Sequence, residues 1–79
     1  MAEVIVVAPI EGGWRVQRGM SEAWSFQDRG QAEWSARRLG ELLAEAGQAA
    51  EIRILRPGGA LDSRFVLARA SEAAQPLPA

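Results

Sequence analysis

Between Asp28 and Gly47 the apolar residues recur at helical spacing, whereas the segments on either side alternate at the strand period of two. A chain with one amphipathic stretch between short alternating runs has few ways to fold. It must set a single helix against a single sheet. From Gln31 to Ala46 the apolar stripe reads Ala32, Ser35, Ala36, Leu39, Leu42, Leu43 and Ala46, and Arg37, Arg38, Glu41 and Glu45 occupy the other side. Asp28 stands at the N-cap position with Gln31 three residues on, the spacing of a capping box. Gly47 supplies the glycine expected just past the last turn.

Before the helix, Glu3 to Ala8 is β-branched and nearly continuous, which suits a strand buried on both faces or covered by a partner, and Pro9 closes it. Trp14 to Arg18 alternates, with Trp14 and Val16 on one face and Arg15 and Gln17 on the other. Trp24 and Phe26 then oppose Ala23 and Ser25. The links Glu11-Gly12-Gly13 and Gly19-Met20-Ser21-Glu22 are short enough for an antiparallel meander, and Met20 is expected to fill a gap at its turn. After the helix, Glu51 to Arg56 forms a fourth strand, Pro57-Gly58-Gly59 a turn, and Ala60 to Ala68 a returning fifth.

The expected fold is therefore α+β with the order βββαββ: an antiparallel sheet of four or five strands with one helix packed across one face. Its core would bring Trp14, Val16, Trp24, Phe26, Ile52, Ile54, Phe65 and Leu67 against Leu39, Leu42 and Leu43. Residues 1–69 make one domain and residues 70–79, rich in Ala and Pro, a flexible tail. A domain near this length buries only roughly 60% of the surface its unfolded chain exposes, so association is an easy way to add burial.

Composition narrows function by subtraction. The 79 residues include no Cys, His, Lys or Tyr, so thiol, imidazole and amine chemistry are absent apart from the N-terminus. Without His or Lys, no serine has an evident base. The ten carboxylates are scattered, and neither Gly12-Gly13 nor Gly58-Gly59 has the context of a phosphate loop. We therefore expect no catalytic, cofactor-binding or metal-binding residues and no enzyme activity. There is no basic leader or apolar run of membrane-spanning length, which makes cytoplasmic location the expectation and a membrane partner unexpected.

The run Val6-Val7-Ala8-Pro9, the segment Gly13-Trp14-Arg15-Val16, the short strand Trp24-Ser25-Phe26, the capped helix from Asp28 to Gly47 and the hairpin from Ile52 to Phe65 resemble a small uncharacterised bacterial family, a domain of unknown function. That family combines a Val-Val-Pro first strand, a Gly-Trp-x-Val second strand, one capped helix and a C-terminal hairpin. The resemblance spans about four-fifths of the chain and implies the same fold, with no activity attached. A looser resemblance is to antitoxin-like domains with a βββα core, which implies a toxin partner or a separate DNA-binding segment.

Two surfaces remain as candidates. Trp34 lies well off the apolar stripe, among Arg37, Arg38 and Glu41, and an exposed indole beside arginines is typical of protein interfaces. The alternative is an indole lying flat over a neighbouring loop. On the sheet, alternation turns Arg15, Gln17, Arg53 and Arg64 away from the helix, a face that could track a nucleic-acid backbone. Nine arginines against ten acids leave a net charge of −1, which weakens that reading. The expectation is a small non-enzymatic interaction domain that self-associates, as a dimer for example, or docks a protein partner. A nucleic-acid-associated module is the alternative.

Overall fold

In the computed structural model, residues 3–67 are described; the expected tail, residues 70–79, and Ala68, the last residue expected in the fifth strand, lie outside them. The chain forms β1 (Glu3–Ile10), β2 (Gly13–Arg18), β3 (Glu22–Phe26), α1 (Arg29–Glu45), β4 (Ala50–Leu55) and β5 (Leu61–Leu67). The expected α+β class and βββαββ order are observed, with the helix across one face of a five-stranded sheet ordered β3-β2-β1-β4-β5.

The sheet is mixed. Three of its four pairings are antiparallel, but β1 and β4 run parallel, with Ile5 beside Ile52 and Val7 beside Ile54. The helix makes this possible. A parallel return needs a long crossover, and the 17 residues of α1 carry the chain from β3 past β2 and β1 to a place beside β1. β1 is thereby central, which accounts for its nearly continuous apolar run, and β3 is left at an edge.

The registers place Ile5, Val7, Val16, Ala50, Ile52 and Ile54 on the helix-covered face, and all six are buried. Trp14, Phe26, Phe65 and Leu67 pack against this cluster partly buried, as do Leu39 and Leu43 from the helix. The helix seam itself differs from the expected stripe. Its buried residues are Ala32, Ala36, Gly40 and Ala44, one row at a spacing of four, while Leu42 is 47% exposed. Gly40 explains the shift. A Cβ there would lie 2.7 Å from Leu67 Cδ1 and 3.3 Å from Ile52 Cδ1. The helix rests on the sheet through its smallest side chains, and the bulkier ones are displaced to its flanks. Met20, expected to fill a gap, is instead 99% exposed, because it sits at the end of the β2–β3 hairpin beyond every packed element.

Both helix ends are capped, the first through the Asp28 half of the expected capping box. The Asp28 carboxylate accepts from the Gln31 amide at 2.8 Å. At the other end Gln48 N–H donates to Leu43 O at 2.8 Å and Gly47 N–H to Ala44 O at 3.0 Å, with Gly47 at φ 91°, a Schellman arrangement.

The seam makes a two-part prediction. Gly40→Val should destabilise the fold by about 1–3 kcal/mol in urea unfolding through overpacking. Gly40→Ala should stay within about 1 kcal/mol of the parent, because the gain in helix propensity offsets displacement of the Leu67 Cδ1 methyl and a small shift of Ile52 Cδ1. Separately, Asp28→Ala should cost about 1 kcal/mol by the same measurement.

Candidate functional site

The two candidate surfaces lie on different parts of the molecule. The uncovered face of the sheet carries Arg15 and Gln17 from β2, Arg53 from β4 and Arg64 from β5 around the half-buried Val4, Val6 and Ala8 of β1. The four residues therefore share a face as expected, but they are not four free groups. Arg53 and Arg64 stand directly opposite each other across the β4–β5 pair, a repulsive placement by itself. Glu51, only 8% exposed, offsets it by accepting from Arg53 Nε at 2.5 Å and pairing with Arg64 Nε at 3.0 Å. Gln17 donates to the Gly19 carbonyl at 3.1 Å. Arg15 alone of the three arginines has no acidic partner among the described residues.

The hydrogen bonds from Arg64 and then Arg53 lower the Glu51 pKa from 4.5 to about 2. A carboxylate with a depressed folded pKa stabilises the fold above its unfolded pKa and loses that contribution as pH falls through the folded value. Glu51→Gln should therefore lower the melting temperature at neutral pH, with the gap closing as pH drops from 4.5 towards 2. A pH series of thermal melts on both proteins checks this.

The second surface surrounds Trp34, which is 70% exposed. On one side of the indole a hollow of about 540 Å³ is lined by Phe26, Asp28, Gly30, Gln31, Trp34 and Ser35. Adjoining it, a hollow of about 200 Å³ is lined by Trp24, Trp34, Ser35, Arg38, Leu39 and Leu42. Trp34 and Ser35 belong to both, so the indole is a knob between two depressions. The floor is the edge strand β3, where Trp24 is 39% exposed and every residue but Phe26 is exposed.

Of the expected interface residues, the structure keeps Trp34, Arg38 and Glu41 together, with Arg38 paired to Glu41 at 3.3 Å. Arg37 belongs elsewhere. It is turned towards the β5 side, its guanidinium 4.4 Å from the Phe65 ring centroid. Trp24 and Leu42, assigned to the core from periodicity alone, are part of the exposed surface instead. The row Ala32-Ala36-Gly40-Ala44 was the signal for this, since a small-residue row marks the side of closest approach and rotates Leu42 outwards.

Several other charged groups have structural partners. Arg18 bridges Glu3 and Glu22, and Arg29 pairs with Glu33 and with Asp62, which also meets Arg56 at 3.6 Å. Among the described residues no group of three acidic residues is placed to hold a metal ion, and no helix is long and apolar enough to cross a membrane. Comparison of the chain with family models, with curated proteins and with solved structures gives no match.

Proposed function

We propose that this chain is a non-enzymatic protein-interaction domain whose docking surface is the β3 edge with the adjoining flank of α1. The observation that carries this reading is the exposure of Trp34 between two hollows, beside a strand whose outer backbone groups have no strand partner among the described residues. Interface centres are enriched in tryptophan and arginine and depleted of other charges. Trp24, Trp34, Leu42 and Arg38 match that composition, with Glu41 at the margin. The nucleic-acid alternative is less well supported, because Glu51 holds two of the three arginines on the open face. Affinity for phosphates follows the number of cations available to meet them.

A photoreactive amino acid placed at position 34, and in a second protein at position 15 on the opposite face, separates the two surfaces inside the cell. Discrete protein adducts from position 34 and none from position 15 are expected. Equal labelling at the two positions, or nucleic-acid adducts from position 15 alone, would overturn the reading.

A further inference from the structure

An edge strand is a template for another strand unless something blunts it, and the two edges of this sheet differ in that respect. β5 carries Asp62 and Arg64, lies beside a register irregularity at Ile54/Leu55, and is tied to the helix through the Arg29–Asp62 pair. β3 carries one charge, at its first residue Glu22, and that charge is held by Arg18. From Ala23 to Phe26 there is no charge, no proline and no register shift against β2. The apolar hollows lie along this unblunted edge.

The geometry points to a second copy of this chain as the occupant of the β3 edge, paired antiparallel about a two-fold axis through Trp24. The inference rests on the reading of this surface as a docking site and names what docks there. A two-fold contact requires a patch that accepts itself. About Trp24 the antiparallel register sets Ala23 against Ser25 of the copy and Glu22 against its Phe26, so no like charges meet. The two Trp24 side chains face each other as a cross-strand aromatic pair. The equivalent axis at the middle of β5 would set Arg64 against itself, so the sequence of β3 admits a copy where that of β5 opposes one.

The pairing also creates a new surface between the two helices. A two-fold perpendicular to the sheet keeps both helices on the same side. Each α1 packs chiefly on the central strands of its own sheet, β2, β1 and β4. Counting across β1, β2 and β3 and their copies, the helix axes stand about five strand spacings apart, roughly 24 Å. Helices about 10–12 Å across then leave a trough roughly 12–14 Å wide. Its floor is Trp24 and Phe26 of both chains, and its walls carry Trp34 and Leu42. The Trp24 indoles of the two chains meet on its floor, while each Trp34 stands at the rim of a trough that is open above.

The chain contains no cysteine, so introduced thiols report the register directly. Ala23→Cys protein mixed with Ser25→Cys protein under mild oxidation should form the mixed disulfide roughly tenfold faster than either variant forms its own. Facing residues of an antiparallel pair have Cα atoms about 4.5–5.5 Å apart, within disulfide range, and diagonal ones are about 7–8 Å apart. In sedimentation equilibrium the unsubstituted chain should pass from one chain mass towards two with rising concentration. Trp24→Glu, which sets two carboxylates opposite each other at the axis, should raise the dissociation constant more than tenfold, about 1.4 kcal/mol or more, whereas Trp24→Phe, which keeps an aromatic pair there, should leave it within about threefold. Dimers without preference for the mixed disulfide would overturn pairing through β3. A chain that stays monomeric at its highest soluble concentration would overturn self-association altogether, while heterologous adducts at position 34 would still uphold the docking reading.

Discussion

The close approach of α1 to the sheet is the constraint from which the exposed surface follows. Ala32, Ala36, Gly40 and Ala44 form a row with almost no side-chain bulk, and it lies on a floor of branched residues from β1, β2 and β4. Burial by this row comes from the sheet residues it covers more than from the helix residues themselves. Ile5, Val7, Val16, Ile52 and Ile54 are the largest side chains taken completely out of water. Once the small row faces inwards, the 100° step of the helix leaves no freedom for the rest. Leu39 and Leu43 fall at the margins of the contact, Leu42 turns half outwards, and Trp34 points away from the sheet altogether.

Electrostatics acts on a different part of the surface. Ion pairs tie the ends and the uncovered face of the sheet: Arg18 between Glu3 and Glu22, Arg29 joining α1 to β5, and Glu51 between Arg53 and Arg64. Most of these pairs are solvent-exposed, where each contributes little to stability. Glu51 is the exception in placement, since it is buried between two arginines that face each other across neighbouring strands. The net effect is that most of the arginines are held by carboxylates of the same fold. Charge that looks available for polyanions in a list of residues is engaged within the fold. The β3 edge, by contrast, holds little charge and most of the exposed aromatic surface.

A domain of this size gains a smaller fraction of burial from its own core than a larger one does. Three apolar side chains, Trp24, Trp34 and Leu42, left open beside an edge strand are then more than incidental exposure, because their burial against another chain adds what the monomer lacks. The absence of cysteine from the chain also means that no disulfide supplements that core.

Local patterns made much of the fold legible. The change of period at Asp28, the capping pair Asp28 and Gln31, the closing Gly47 and the alternating runs of β2 and β4 depend on contacts within a few residues, and these were readable in order. The candidate surfaces were legible in part: Trp34 stood out from the stripe, and Arg15, Gln17, Arg53 and Arg64 were correctly placed on one face. What alternation could not show was pairing between distant residues. The parallel β1–β4 pair, the edge position of β3, the grip of Glu51 on two arginines and the turn of Arg37 towards Phe65 all depend on partners far apart along the chain. The sequence by itself determined which residues form strands and helix, because backbone periodicity is a local property. Only the tertiary structure decided which apolar residues are left over, because Gly40 against Leu67 and Ile52 sets how close the helix can come and which way it turns.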